Sequence, residues 1–285
     1  MAILPFSLIN GLPADTVTIQ DRGFSYGHGL FETVTVHQGS AVHWSEHMER
    51  LRAGAARLAI PCDQQLLDQL TADLTKLLNS VDHPNDKMIL KLTLTRGSGG
   101  RGYAVTENMT VTRVLTLSPF PEYPDRPSEN GIKIHLCETR LGHNPALAGI
   151  KHLNRLEQVL ARSEWQDSDI REGIVCDHTG NIIEGTMSNV FWVKNGKLYT
   201  PDLTQCGVAG VVRQRILQLA TAEGIIYQEV CANITELKQC DELFFSNSVI
   251  GIWPAVKCLQ SPLKTNWSIG PITQKLQQAL AAEGI

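Results

Sequence analysis

Apolar residues recur along this chain at two spacings, and the switch between them divides it into strands and helices. From Leu30 to His37 apolar and polar positions alternate. A second alternating stretch, Ala41–Trp44, follows across Gln38-Gly39-Ser40, which predicts a β-hairpin. Ser45 then stands where a helix cap belongs. Met48, Leu51, Ala55 and Leu58 fall on one face of the helix it would start, with Pro61 just beyond the end. A second helix is predicted over Asp63–Leu78, where Leu66, Leu70, Leu74 and Leu77 form one stripe. Strand-like pieces lie at Phe6–Asn10, Thr16–Ile19, Met88–Thr95 and Thr110–Leu117, and the last two flank the glycine-rich stretch Arg96–Tyr103.

Pro119, Pro121, Pro124 and Pro127 fall within nine residues, a run that can continue neither helix nor sheet. This makes 119–130 the candidate linker between a smaller N-terminal lobe, residues 1–118, and a larger C-terminal lobe, residues 131–285. The second lobe opens with a strand at Ile132–Cys137, and a helix is expected over His152–Trp165 with Leu153, Leu156 and Leu160 buried. Hairpin turns are expected at His178-Thr179-Gly180-Asn181 and Asn195-Gly196. Beyond them come a helix over Val211–Glu223, strands at Ile225–Val230, Leu243–Phe245 and Ile252–Cys258, and a last helix after Pro271. The pattern reads as two α+β lobes with mixed sheets.

Composition narrows the class without naming a chemistry. At 285 residues the chain is long for one core, and 42% apolar with 19% charged residues is ordinary for a globular protein. A net charge of −4 with no long run of one sign argues against a nucleic-acid binder. The seven cysteines include no Cys-x-x-Cys pair, which suits free thiols in a reducing compartment. No signal peptide or membrane-spanning run is evident, so a cytoplasmic location is expected, and the Asn-x-Ser/Thr triplets at Asn108, Asn233 and Asn266 are chance matches.

Two motifs mislead when read as letters alone. Gly97-Ser98-Gly99-Gly100-Arg101-Gly102 spells a dinucleotide fingerprint, but that fingerprint requires a helix to follow and a strand follows here. A loop with two arginines among four glycines suits closure over an anionic substrate instead. His43-Trp44-Ser45-Glu46-His47 spells a zinc motif, yet a helix beginning at Ser45 would leave His43 on the preceding strand, so no metal site is expected.

Lys151 lies in Gly149-Ile150-Lys151-His152-Leu153-Asn154, an element boundary with apolar neighbours, where an amine can be desolvated toward the lowered pKa that Schiff-base chemistry needs. Gly207-Val208-Ala209-Gly210 leads into the helix at Val211 and Val212, whose free N–H groups form an anion site. Arg50 could supply a matching cation. Glu184, at a strand end, could keep a pyridine nitrogen protonated.

Together these segments resemble the fold-type IV pyridoxal-phosphate enzymes, which include branched-chain and D-amino acid aminotransferases and 4-amino-4-deoxychorismate lyases. The resemblance runs through Asp21–Glu32, Glu46–Leu51, the Lys151 segment, Glu184–Asn189 and Asp241–Phe244, and so spans nearly the whole chain. It implies a smaller and a larger α+β lobe with pyridoxal 5'-phosphate in a cleft between them, and a homodimer as the active unit. It further implies that Lys151 carries the cofactor covalently, that Glu184 faces its ring nitrogen, and that Arg50, Val211, Val212 and Ser248 hold its phosphate. Arg96–Tyr103 and Arg140–Arg162 resemble the bacterial lyases most, which implies elimination of pyruvate to give 4-aminobenzoate for folate biosynthesis. The substrate of that reaction is a dicarboxylate, for which Arg101, Arg96, Phe31 and Asn247 are the candidate binding residues. His28 stands where many members have aspartate, and Glu184–Asn189 and Ser246–Ser248 are closer to the D-amino acid aminotransferases. An aminotransferase is therefore the alternative.

Overall fold

The computed structural model describes residues 4–81, 87–100, 102–106 and 109–285. It contains two compact units: Met1–Pro121 with Ile150–Asn154, and Glu122–Gly149 with Arg155–Ile285.

The first unit runs β1 (Phe6–Ile9), β2 (Leu12–Pro13), α1 (Arg22–Tyr26), β3 (Gly29–His37), β4 (Ser40–Ala41), α2 (Trp44–Arg57), α3 (Gln64–Asn79), β5 (Met88–Thr95) and β6 (Thr112–Pro119). Its sheet, in the order β2-β1-β6-β5-β3-β4, is antiparallel throughout. The alternation read from the sequence has a direct cause: Met88, Leu90, Leu92 and Leu94 of β5 are buried, while Lys91 between them is exposed. Leu51 and Ala55 of α2 and Leu66, Leu70, Leu74 and Leu77 of α3 supply further buried apolar surface. Gln38 and Gly39 both take left-handed φ in the β3–β4 turn, the geometry that matches strand twist in a two-residue hairpin.

Three local expectations fail in this unit. Residues 16–19 form no strand; Val17 and Ile19 are exposed, and β-branched composition alone cannot make a strand without a neighbouring backbone to pair with. The strand expected over Ala41–Trp44 shrinks to Ser40–Ala41, because α2 already begins at Trp44. The residue ahead of α2 is His43, in left-handed conformation and without a side-chain cap bond, rather than Ser45, whose hydroxyl bonds Glu46 instead.

The second unit continues with α4 (Pro127–Asn130), β7 (Ile132–Leu141), α5 (Leu156–Arg162), β8 (Ile170–Asp177), β9 (Ile182–Gly185), β10 (Asn189–Lys194) and β11 (Lys197–Pro201). It closes with α6 (Val211–Ala222), β12 (Tyr227–Val230), β13 (Glu242–Asn247), β14 (Gly251–Cys258), β15 (Thr265–Asn266) and α7 (Pro271–Ala281). The sheet order is β12-β11-β10-β13-β14-β7-β8-β9, with β15 beside β14. Mixed pairing is confined to this unit, where β14–β7, β7–β8 and β11–β12 are parallel. Its central strands are buried on both faces, which is why they read as continuous apolar runs. Val190 and Trp192 of β10 face a core with Phe245, Trp253 and Trp267, while Phe191 and Val193 face α6 and α7 through Ile216 and Leu276.

The helix expected over His152–Trp165 is only Leu156–Arg162. The backbone explains the loss. Phe31 N–H donates to the Lys151 carbonyl at 3.0 Å and Leu153 N–H to the Gly29 carbonyl at 3.0 Å, so residues 151–153 lie along β3 as one isolated antiparallel bridge. The buried side of α5 is then carried by Ala161, packed near Cys137 and Trp165, whereas Leu156 and Leu160, expected inside, are 70% and 52% exposed in this chain. Among the described residues no helix is long and apolar enough to cross a membrane.

Candidate active site

In the first unit the segment 150–154 and β3 present Lys151. Its amine lies over the Phe31 ring, 4.3 Å from the centre, where it faces the negative side of the ring. Gly29 makes this approach possible: a Cβ there would come within 2.6 Å of Leu153 Cδ1 and 2.7 Å of the Leu94 carbonyl.

The next position along β3 points the other way, into the unit's interior, and carries Glu32. Its carboxylate accepts from Arg50 Nε at 2.9 Å, from Arg50 Nη2, and from His47 Nδ1 at 2.7 Å. Burial would raise the carboxyl, but the Arg50 charge and the hydrogen bonds from His47 and Arg50 override it and hold Glu32 at about 2. Burial also lowers His47, which favours a neutral ring donating through Nδ1–H. The pair from Glu32 orients the Arg50 guanidinium in a fixed fork. His47, the second histidine of the zinc-like motif, is thereby committed to Glu32. Arg96 is 8% exposed, donates through Nη1 to the Met109 carbonyl at 3.1 Å, and makes no hydrogen bond through its buried Nε among the described residues. Arg101 lies outside the described residues.

In the second unit Glu184 and the glycine loop form one connected piece. Glu184 is 4% exposed and accepts from Gln158 Nε2 at 3.0 Å and from the Val208 N–H at 2.8 Å. The loop is held by Gly149, whose N–H donates to the Gly207 carbonyl and whose carbonyl accepts from the Ala209 N–H. Asn189 Nδ2 donates to the Val208 carbonyl at 2.8 Å. Gly207 takes φ +86°, and a Cβ at Gly210 would lie 2.1 Å from Asn189 Oδ1, so this path is open only to glycine at both positions. Gly210 caps α6 without a side chain, which leaves the first-turn N–H groups of Val211 and Val212 without a side-chain cap and at the positive end of a twelve-residue helix. Arg155 feels both Glu184 and Glu157: burial lowers its guanidinium, and the two carboxylates counter that.

Ser248 sits in the turn after β13, which Asn247 shapes by accepting from the Val249 and Ile250 N–H groups and donating to the Met187 carbonyl. The side chain of Asn247 thus serves the turn that carries Ser248.

Several residues that build this arrangement carry no motif. Glu172 is fully buried and accepts from five donors: the N–H groups of Gly173, Thr186 and Met187 and the hydroxyls of Thr186 and Ser188. It ties down the turn that directly follows Glu184. Glu32 could have been found from the alternation in β3, since Leu30, Glu32, Val34 and Val36 share one register and a carboxylate in that row needs a buried partner. Among the described residues no cluster of three or more histidine, cysteine, aspartate or glutamate side chains could hold a metal ion.

The amino-transferase class IV family model matches residues 29–258, and the chain belongs to that family. The aminodeoxychorismate lyase of Vibrio harveyi is 36% identical over 94% of this chain and 97% of its own length. A putative branched-chain-amino-acid aminotransferase of Methanocaldococcus jannaschii is 31% identical over 92% of this chain and 89% of its own. The crystal structure of 4-amino-4-deoxychorismate lyase from Pseudomonas aeruginosa superposes with a TM-score of 0.89 at 40% identity, over 97% of this chain and 98% of the other. The α+β architecture is that of the fold-type IV enzymes.

Proposed function

We propose that this protein is a pyridoxal-phosphate-dependent 4-amino-4-deoxychorismate lyase that releases pyruvate and forms 4-aminobenzoate, a step toward folate. The observation that carries this reading is the full-length similarity to two such lyases, at 36% and 40% identity. The aminotransferase relative is as long but less similar.

The residues present fit the cofactor. A capless helix start behind two obligate glycines suits a dianionic phosphate, and the same loop is bonded to the buried Glu184 carboxylate. Val211, Val212, Ser248 and Arg50 would hold the phosphate, Lys151 the aldehyde carbon and Glu184 the ring nitrogen. When bound, the group supplies an electron-withdrawing ring that stabilises the electron pair left by removal of a proton next to the amine-bearing carbon.

The chain's own residues do the rest. Lys151 removes the C4 proton of the substrate and returns a proton toward the departing enolpyruvyl oxygen. Phe31, beside the amine, keeps water from that face. Gln158 and the Val208 N–H fix the orientation of the Glu184 carboxylate, which would face the ring nitrogen and keep it protonated. Arg96 and Arg101 bind the two carboxylates, and aromatisation of the product makes elimination downhill. The enzyme acts as a cytoplasmic homodimer; Leu156, Val159 and Leu160, exposed together on α5, are an apolar surface of the kind that a second copy would cover.

Incubation of the cofactor-loaded enzyme with aminodeoxychorismate is expected to yield 4-aminobenzoate and pyruvate in equal amounts. Lys151→Ala should lower this rate by about 10⁴-fold or more and abolish the visible absorbance of the lysine-bound cofactor. Turnover of D-alanine with 2-oxoglutarate and no 4-aminobenzoate would reverse the assignment in favour of the aminotransferase.

A further inference from the structure

The glycine-rich loop is gripped from beneath by Arg22, a residue that the chemistry above does not use. Arg22 starts α1 and is 3% exposed. Its Nη1 donates to the Gly102 carbonyl at 3.0 Å and, more weakly, to Ala104 at 3.4 Å, and its Nη2 donates to the Tyr103 carbonyl at 3.0 Å. One guanidinium therefore gathers three consecutive carbonyls of the loop's second arm. Its Nε donates to His28 Nδ1 at 3.3 Å. That assignment is fixed from the far side of the ring: His28 Nε2 lies 2.8 Å from the Leu58 carbonyl, which can only accept, so Nε2 carries the hydrogen and Nδ1 presents a lone pair to Arg22. The guanidinium also lies 4.9 Å from the centre of the Tyr26 ring, which meets Tyr103 edge-on at 5.5 Å.

The base of this clamp is rigid. Asp21 caps α1 through the Gly23 N–H and accepts from the hydroxyls of Thr95 and Thr112, which lie at the ends of β5 and β6 that the loop connects. The Arg22 N–H donates to the Gly97 carbonyl, and a Cβ at Gly97 would lie 1.7 Å from the Thr110 carbonyl. The first arm is thus fixed by backbone, and the second arm is fixed by Arg22. Among the described residues no carboxylate pairs with Arg22; carbonyls, one imidazole and one ring are what satisfy it. A buried cation satisfied in this way loses most of its partners if the arm moves away, so its burial and the arm's position stand or fall together.

We propose that Arg22, with His28 and Tyr26, is a positioning residue that holds the 102–104 arm of the substrate-binding loop in place. It acts on substrate affinity and not on the chemical step. The assignment rests on the reading of this loop as substrate-binding, and it gives the histidine at position 28 a purpose, as the lone-pair partner of Arg22.

The test uses the cofactor-loaded enzyme with Arg22→Met, which keeps the length and removes the donors, Arg22→Lys, His28→Leu and His28→Asn, which keeps an acceptor near the Nδ1 position. Arg22→Met should raise KM for aminodeoxychorismate about tenfold with kcat within about threefold, and Arg22→Lys should recover part of that. His28→Leu should move KM in the same direction by a smaller factor, and His28→Asn should stay close to the parent. The second readout is tryptic cleavage within Arg96–Tyr103, which should be about tenfold faster in Arg22→Met while the visible cofactor absorbance is unchanged. That readout needs no turnover, so it still reports on the clamp if the enzyme makes no 4-aminobenzoate. Should Arg22→Met not fold, Arg22→Lys and His28→Leu carry both measurements. An unchanged KM together with an unchanged cleavage rate overturns the proposal, and so does a fall in kcat at constant KM.

Discussion

Glu32 in the first unit and Glu172 in the second are both almost completely buried carboxylates, and they are satisfied by opposite means. Glu32, 1% exposed in the first unit, meets a guanidinium and an imidazole; Glu172, fully buried in the second, meets only amide N–H groups and hydroxyls. Burial raises both carboxyls. At Glu32 the Arg50 charge and the hydrogen bonds from His47 and Arg50 together reverse that and the group settles at about 2, whereas at Glu172 the hydrogen bonds from Thr186, Gly173 and Ser188 oppose burial without overcoming it, and the carboxyl stays above its ordinary value. An opposite charge added to hydrogen bonds therefore outweighs desolvation where a ring of neutral donors alone does not. The first arrangement fixes a charge and the second fixes a turn.

The largest effect should come from taking the acceptor away from the turn. Glu172→Ala leaves the N–H groups of Gly173 and Thr186 and two hydroxyls without their partner and should cost about 4 kcal/mol in urea unfolding of the cofactor-free protein, against roughly half of that for Glu172→Gln. A loss below about 1 kcal/mol for the alanine variant would mean that the turn holds without it. Next in size is Arg50→Met, which leaves Glu32 with a neutral imidazole alone and should cost about 3 kcal/mol. Adding Glu32→Gln to that variant should restore much of the loss, and a double variant no more stable than Arg50→Met would break the account of the pair.

The smallest effect is the most discriminating, because the pH slopes have opposite signs. Glu32 is lowered from 4.5 to about 2, so its contribution is complete above pH 4.5 and is lost as pH falls toward 2. In full it amounts to about 3 kcal/mol at roughly 1.4 kcal/mol per pH unit, and only part of it is lost by pH 3.5. Glu172 is raised above 4.5, so its contribution is complete below 4.5 and is lost as pH rises through the raised value. Glu32→Gln should therefore be more costly at pH 7 than at pH 3.5, and Glu172→Gln more costly at pH 4 than at pH 7. Parallel profiles for the two variants would erase the distinction.

The sequence made these two carboxylates unequally legible. Glu32 falls in the apolar register of β3, so a reader of the alternation can ask what neutralises it, and His47 and Arg50 lie three residues apart on a helix whose start the sequence also suggests. Glu172 has no such signal, because three of its five donors are backbone N–H groups. The same limit explains the helix misread near Lys151. Leu153, Leu156 and Leu160 do fall at helical spacing, but residues 151–153 take their hydrogen bonds from β3, more than a hundred residues away in the chain, and that competition is invisible locally. Ser45 is a sound capping residue two positions too late, since His43 holds the cap position and Trp44 already lies in the helix. What periodicity could see it saw well: α3, β5 and α6 lie within two residues of where apolar spacing put them. Of the residues expected to bind cofactor or substrate, Glu184 and the Val211–Val212 turn are joined through the glycine loop, and Lys151 stands beside Phe31.

The bridge that residues 151–153 make with β3 also bears on the order in which the molecule is made. Residues 6–119 contain every long strand of the first sheet and both of its larger helices, so this part of the chain can collapse while synthesis is still under way. The Gly29 carbonyl and the Phe31 N–H nevertheless wait for Leu153 and Lys151, which leave the ribosome only after the proline-rich stretch and β7 have appeared. The nascent first unit thus has a finished interior and an unfinished edge, and the last piece to dock on it is the one that brings the reactive amine. An early-folding intermediate of this protein is, by its topology, chemically inert.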